Sequence, residues 1–119
     1  MKVLLSIKPK YVEEIFLGKK LFEYRKVIFK KKDVNTLVIY ATRPIGKIVG
    51  EIEIAKIHKD TPENIWKKTK NYSGITKNEF FKYFHQREVA YAIEFNKIIK
   101  YNNPIDLIHT PPQSYKYIV

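Results

Sequence analysis

Three side chains with complementary chemistry lie close together in the sequence, at Lys20, Glu23 and Arg25. Glu23 and Arg25 are two residues apart, so in a β-strand both project from the same face. A carboxylate accepts hydrogen bonds from a nucleobase, and a guanidinium clamps a phosphate or carbonyl group through two hydrogen bonds. In a partly dry site the pKa of Lys20 falls, and its amine becomes a base or nucleophile. The cluster predicts a site for an anionic, ring-bearing ligand; the alternative is a surface Glu–Arg pair worth under about 1 kcal/mol.

Further candidate ligand residues lie elsewhere in the chain. Arg43 follows an apolar segment and precedes a proline, a strand-end position typical of binding residues, although a solvated turn residue fits the same pattern. Tyr91, Tyr115 and Tyr117 are candidates for stacking on a base, a contact worth about 1–3 kcal/mol. Gln113 and Ser114 would line the site only if the end of the chain folds back over it.

Most standard catalytic and metal-binding patterns are missing from the sequence. There is no Cys, which excludes disulfides, thiol catalysis and zinc–cysteine sites. His58, His85 and His109 are far apart and lack metal-ligand spacing. The sequence has no phosphate-binding glycine loop, no HExxH motif and no nucleophile elbow. We therefore expect neither a metal ion nor a cofactor.

The candidate cluster lies where a predicted helix gives way to a predicted strand. Residues 3–7 are apolar apart from one serine and predict a short buried strand. Pro9 suits the first turn of a helix, and Gly18 suits the position just after its end. Residues 22–29 then alternate as a strand, and residues 36–42 predict a strand buried on both faces.

The second half of the chain adds more strands and two helices. Residues 47–57 alternate, with a bulge indicated at Gly50, and residues 88–99 predict a long strand. Residues 102–104 (Asn-Asn-Pro) predict a turn, and residues 105–108 predict a further strand before a short tail. Helix starts are indicated at Thr61, an N-cap followed by proline, and at the capping box Thr76-x-x-Glu79.

These elements predict an α+β fold with five or six strands, three short helices and no regular βαβ alternation. We expect a mixed, mostly antiparallel sheet that closes into a small β-barrel, with the short helices capping its ends. An OB-like barrel is the runner-up, but it would spread its basic and aromatic residues over an open sheet face.

Composition limits the class of protein. The chain has 119 residues, and we expect residues 1–119 to form a single domain. Its 23 basic and 12 acidic residues give a net charge of +11, which favours a polyanion such as nucleic acid as partner. A lysine coat that only maintains solubility is the alternative. The longest uncharged apolar stretch is too short to span a membrane, so we expect a cytoplasmic protein without a membrane partner.

The motif Gly18-x-Lys20-x-x-Glu23-x-Arg25 resembles the GxKxxExR signature of the ASCH domain family, within the PUA-like superfamily. The surroundings are similar as well. ASCH domains open with a strand ending in a Ser-x-Lys-Pro-like stretch, here residues 6–9, followed by a helix that leads into the signature. Their hairpin, late strand and C-terminal ending resemble residues 38–54, 90–94 and 111–115.

The resemblance implies a PUA-like barrel whose cleft, beside the signature, binds RNA or a nucleotide. Such a module would be a regulator of transcription or of RNA metabolism. The residues and the resemblance together predict a set of ligand-binding side chains. They are Ser6, Lys8, Gly18, Lys20, Glu23, Arg25, Arg43, Ser114 and Tyr115.

Two other functional hypotheses stay open at this point. The first is an enzyme in the same cleft, with Lys20 and Glu23 as catalytic residues. Some small relatives hydrolyse acylated cytidine with a Lys, a Thr and a later Glu, but Glu23 occupies the Thr position here. Other relatives are ribonucleases, for which Lys20 and Arg25 would stabilise a phosphorane and Glu23 would act as general base. The second is a protein-interaction module whose basic face is only solubilising.

Overall fold

One six-stranded sheet forms the body of the protein in the computed structural model, which describes residues 1–118. The strands are β1 (Lys2–Ile7), β2 (Phe22–Arg25), β3 (Thr36–Ala41), β4 (Lys47–Asp60), β5 (Ala90–Asp106) and β6 (Tyr115–Ile118). The α-helices are α1 (Pro9–Phe16), α2 (Pro62–Thr69) and α3 (Lys77–Tyr83), with a short 3-10 turn over Lys70–Tyr72. The strand order is β2-β5-β4-β3-β1-β6, in which β1 and β3 are parallel and all other neighbours antiparallel. The predicted mixed, mostly antiparallel α+β fold is therefore confirmed.

The sheet does not close, so the predicted barrel is not confirmed. In the described part of the chain, β2 and β6 are the two edges and no hydrogen-bonded ladder joins them. The sheet curls enough for side chains to meet between the edges: Arg25 Nη2 donates to Ser114 Oγ at 2.9 Å, and the Phe29 and Tyr115 rings are 6.0 Å apart. Closure fails because β2 ends at Arg25, four residues before the predicted end at Phe29.

Two apolar clusters hold the sheet and helices together. Val3 and Leu5 of β1 pair in register with Leu37 and Ile39 of β3, and all four pack with α1 in the larger cluster. Leu4 of β1 and Val38 and Tyr40 of β3 form a small cluster on the opposite face, which explains why β3 is apolar from Leu37 onward. A second major cluster lies under α2 and α3, where Phe80 packs edge-on against Tyr24 with ring centroids 5.0 Å apart. This contact fixes α3 beside β2.

The predicted helix boundaries are confirmed. Pro9 lies in the first turn of α1, and Gly18 follows its end with a φ of 77°. Thr61 caps α2 by accepting a hydrogen bond from the backbone N–H of Asn64. Thr76 and Glu79 form both hydrogen bonds of the capping box that begins α3.

The end of the long hairpin differs from the prediction. Residues 102–104 do not turn the chain but lie inside β5, which continues to Asp106. Lys100 pairs with Gly50, whereas Ile105 pairs with Ile48, so β5 carries extra residues between these pairs. This irregularity accommodates the proline, which has no N–H for a regular ladder. None of the helices in residues 1–118 is long and apolar enough to cross a membrane.

The predicted tail is also a strand. Residues 115–118 form β6 and pair antiparallel with β1, from Leu5 opposite Tyr115 to Lys2 opposite Ile118. A four-residue segment has too little periodicity to indicate a strand by itself. The pairing places the preceding residues, among them Ser114, next to the candidate cluster.

Candidate functional site

A cleft of about 420 Å³ opens where β1, the start of α1, β2 and α3 meet. We call it the Lys20 cleft. Five cationic and two anionic side chains line it, together with three tyrosines. They are Lys8, Lys10, Lys20, Arg25, Lys82, Glu23, Glu79, Tyr11, Tyr24 and Tyr83. The cleft is therefore electropositive and has aromatic walls, which suits an anionic ligand that carries a ring.

Lys20 is buried at the inner wall of this cleft, with 1% of its surface exposed. Its ammonium group donates to the carbonyl of Ser73 at 2.8 Å and lies 4.7 Å from the Tyr24 ring centroid and 5.4 Å from that of Tyr11. Burial lowers the pKa of Lys20 from 10.5 to about 8, while the nearby Glu23 carboxylate opposes that fall. An appreciable fraction of the amine is therefore neutral near physiological pH.

A glycine makes the enclosure of Lys20 possible. Gly74 has a φ of 67°, and a Cβ built on it would lie 2.4 Å from Lys20 Cβ. The chain can pass this close to the lysine stem only without a side chain. The backbone of residues 72–74 therefore forms a lid over the stem, and the Ser73 carbonyl reaches the ammonium group from it.

Glu23 and Arg25 form an ion pair, with Arg25 Nη1 3.3 Å from Glu23 Oε2. The two side chains are only 9% and 14% exposed, so the alternative of an exposed surface pair does not describe them. Arg25 also donates to the Ser114 hydroxyl at 2.9 Å, and the Ser6 hydroxyl donates to the Pro112 carbonyl at 2.7 Å. The segment before β6 therefore folds back beside the cleft and holds the guanidinium in place.

Lys10, Tyr11 and Glu79 line the cleft, although the sequence does not predict them as site residues. Glu79 Oε2 accepts hydrogen bonds from Tyr11 Oη at 2.7 Å and from Lys10 Nζ at 2.8 Å, while Oε1 interacts with Thr76. The Lys10 hydrogen bond, with that of Tyr11, lowers the pKa of Glu79 to about 2. The sequence predicts Glu79 only as a capping residue, because nothing local indicates that α3 packs against the start of α1.

Tyr24 contacts the Lys20 ammonium group with its ring and is itself held by a hydrogen bond. Its hydroxyl donates to Thr69 Oγ1 at 2.6 Å, and Thr69 donates onward to the Ile65 carbonyl at 2.7 Å. Burial raises the pKa of Tyr24 to about 12, so this phenol stays protonated. The ring is thus held rigidly, with a face toward the ammonium group.

The structure brings only part of the predicted set together. Of the nine predicted ligand residues, five line the Lys20 cleft and Ser114 contacts it through Arg25. Gly18 lines a neighbouring depression, which shares Lys10 and Tyr11 with the cleft. The five cleft residues are Ser6, Lys8, Lys20, Glu23 and Arg25.

Arg43 and Tyr115 lie outside the lining of the cleft. Arg43 lies with His109 in a further depression of about 700 Å³, which meets the cleft at Ser6. Tyr115 is half-buried in β6, and its ring packs against Phe29. Within residues 1–118, no group of three or more Asp, Glu or His side chains is arranged to hold a metal ion.

The fold is that of an ASCH domain. The crystal structure of ASCH from Zymomonas mobilis superposes with a TM-score of 0.91 at 24% identity, covering 99% of this chain and 87% of that one. A crystal structure of a mutant of the same protein gives a TM-score of 0.90 at 23% identity, covering 99% and 90%. The chain belongs to the family described as Domain of unknown function (DUF365), whose model matches residues 1–119.

The chain is similar to parts of two much longer proteins and to most of a third. It is 29% identical, over 98% of its length, to parts of two Ureaplasma parvum proteins named ATP synthase subunit alpha and large ribosomal subunit protein uL22. The chain spans only 15% and 39% of these two relatives. It is also 23% identical to a Zymomonas mobilis protein named ASCH domain-containing ribonuclease, covering 98% of this chain and 84% of that one.

Proposed function

We propose that this protein binds RNA in the Lys20 cleft. The observation that carries the proposal is the convergence of five cationic side chains and three tyrosines on one cleft with two carboxylates. One of these carboxylates, Glu79, is already engaged by Lys10, Tyr11 and Thr76. The positive charge that remains suits a phosphate, and the name of the Zymomonas mobilis relative, a ribonuclease, makes RNA the first polyanion to test.

The geometry suggests how a nucleotide is held. Arg25 offers a guanidinium that Glu23 and Ser114 already orient, so phosphate binding loses little side-chain entropy. Lys8 at the start of α1 adds a mobile positive charge. Glu23 supplies the acceptor for an exocyclic amine or a ring N–H of the base. In this proposal, binding serves the regulation of transcription or of RNA metabolism.

Salt dependence and one charge-neutralising variant test the binding. Fluorescence anisotropy with a labelled single-stranded oligoribonucleotide should give a log Kd that rises linearly with log[salt]. Arg25→Ala should weaken binding roughly tenfold or more and make the salt slope shallower by about one phosphate contact. Lys97→Ala, which removes an exposed lysine of β5 outside the cleft, is the matched control. Affinity that ignores salt, or that falls equally in both variants, would refute the proposal.

A second candidate function, cleavage of the bound RNA, is favoured by the convergence of Lys20, Glu23 and Arg25 on one cleft. In this scheme Glu23 takes the proton of the 2′-hydroxyl, whose oxygen attacks phosphorus. Lys20 and Arg25 stabilise the phosphorane, the 5′-oxygen leaves with a proton from water, and a 2′,3′-cyclic phosphate remains. Products from wild type but not from Lys20→Met or Glu23→Gln would support it, and equal cleavage by all three would refute it.

Hydrolysis of acylated cytidine is the less favoured enzymatic alternative, because Glu23 replaces the threonine nucleophile of the relatives that have this activity. Its test is to incubate wild type and Lys20→Met with acylated cytidine. Release of the acyl group that depends on Lys20 would support it, and an unchanged substrate would remove it.

A further inference from the structure

The rim of the Lys20 cleft carries an exposed aromatic ring with cations around it. Tyr83, the last residue of α3, is 38% exposed and lines the cleft. The Lys26 ammonium group lies 4.6 Å from the centroid of its ring. Arg25 and Lys82 line the same cleft as Tyr83. Burial raises the pKa of the Tyr83 phenol, so the ring stays neutral.

The Tyr83 ring is held in place by the core beneath it. It packs edge-on against Phe84, with ring centroids 4.8 Å apart and an interplanar angle of 75°. Phe84 is buried and belongs to the same apolar cluster as Phe80 and Tyr24. Tyr24 in turn forms the wall against Lys20. The rim ring and the inner wall of the cleft are therefore parts of one packed unit, and their separation is fixed.

We infer that Tyr83 is the stacking platform of a second nucleotide subsite, adjoining the Lys20 cleft, in which Lys26 contacts the phosphate. The inference rests on the proposed function and deepens it, because it makes the ligand a strand of two or more nucleotides and not a mononucleotide. Lys26 has a flexible stem, so a base can take its place over the ring while its ammonium group moves to the adjacent phosphate.

Arg25 connects the two subsites. It lines the Lys20 cleft together with Glu23 and with Tyr83, so it is available to both nucleotides. A phosphate that links two nucleosides would lie beside this guanidinium. A mononucleotide at the inner end of the Lys20 cleft, beside Lys20 and Glu23, would leave the exposed ring of Tyr83 and the Lys26 ammonium group without a ligand.

Ligand length and ring chemistry together test this inference. Isothermal titration calorimetry would use 2′-O-methyl oligonucleotides of one, two and four residues, which cannot be cleaved through the 2′-hydroxyl. The fourth probe is a two-residue ligand that lacks the base expected to stack on Tyr83. The variants are Tyr83→Leu, which keeps apolar packing on Phe84 but removes the ring, and Tyr83→Phe, which keeps the ring. Tyr101→Leu, in β5 and outside the cleft lining, is the control.

The expected pattern separates the two subsites. Tyr83→Leu should weaken binding of the two- and four-residue ligands roughly 5- to 150-fold and that of the mononucleotide by much less. Tyr83→Phe should bind like wild type, and the ligand lacking one base should bind equally to wild type and Tyr83→Leu. Thermal melts of all variants confirm that they are folded.

The failures are distinguishable as well. If Arg25→Ala abolishes binding but Tyr83→Leu binds every ligand like wild type, the subsite is refuted and the proposed function stands. An equal loss for the mononucleotide also refutes the subsite. If wild type binds none of the ligands at low salt, both the subsite and the proposed function fall.

Discussion

Replacing Lys20 with methionine tests whether the buried amine is destabilising in the folded protein. Methionine matches the length of the stem but carries no charge, so the substitution removes the desolvation of the ammonium group and its hydrogen bond to Ser73. Because the native pKa is about 8 and the ordinary value is 10.5, the unfolded state binds more protons than the native state between these values. Wild-type stability should therefore rise with pH across this window, relative to Lys20→Met.

The size of the change follows from the two pKa values. At about pH 7, below both values, almost the full effect of the shift destabilises the native state by about 3 kcal/mol. At about pH 10 most of it has disappeared, so the difference in free energy of unfolding between wild type and Lys20→Met should move by about 2.5 kcal/mol in favour of wild type. The raised pKa of Tyr24 acts in the opposite direction, but both proteins contain this residue and its effect cancels.

Urea denaturation at several pH values from about 7 to about 10 measures this difference directly. Lys97→Met, at an exposed lysine of β5, is the matched control and should keep a constant difference from wild type over the same range. A difference between wild type and Lys20→Met that stays flat across the range would refute the reasoning. It would mean that Lys20 titrates as an exposed lysine does.

Three further predictions concern the residues that enclose the cleft. Gly74→Ala should destabilise the fold by more than about 1–3 kcal/mol in thermal melts, because the new Cβ would clash with the Lys20 stem at a positive φ. The control Gly18→Ala is also at positive φ but has no atom within 4 Å of the new Cβ, so it should lose only the stability that the strained backbone costs. Thr76→Ala should lose about 1 kcal/mol in urea denaturation through the α3 cap, and an unchanged midpoint would contradict the capping role. Glu79→Gln should be less stable than wild type near neutral pH, and the gap should close as pH falls toward 2, because the depressed pKa stabilises the fold only while Glu79 is ionised; a gap independent of pH would exclude this explanation.

In the proposed function, Lys20 is a binding group whose burial lowers the stability of the fold. Lys20 is fully enclosed yet has one hydrogen-bond acceptor within reach, the Ser73 carbonyl, among the described contacts. The nearby Glu23 carboxylate offsets only part of the cost of burying this ammonium group, so the buried charge lowers the stability of the fold. In the proposed function, a ligand phosphate in the cleft adds a further negative charge near Lys20, which links binding to stability: ligand should raise the melting temperature of wild type.

The local elements of this protein were determined by short stretches of sequence. The proline and glycine that bound α1, the threonine that caps α2 and the capping box of α3 each act within one helical turn. A glycine in mid-strand likewise predicts the bulge at Gly50. The structure gives the physical reason, since a Cβ there would lie 2.4 Å from the Ile99 carbonyl oxygen. The proximity of Lys20, Glu23 and Arg25 was also readable, because they occupy one short segment.

Only the tertiary structure decided what surrounds these three residues. Tyr11 comes to the cleft from α1, and Glu79 and Tyr83 come from α3, far along the chain. They meet because α3 packs against β2 and α1. Sheet order decided the rest: β6 pairs with β1, which brings Ser114 to Arg25, and β2 ends too early for the sheet to close. Local periodicity carries no information about which strands pair, since that choice depends on apolar surfaces that meet only in the folded chain. The burial of Lys20, and with it the lowered pKa, is likewise a property of the packed structure and not of the motif.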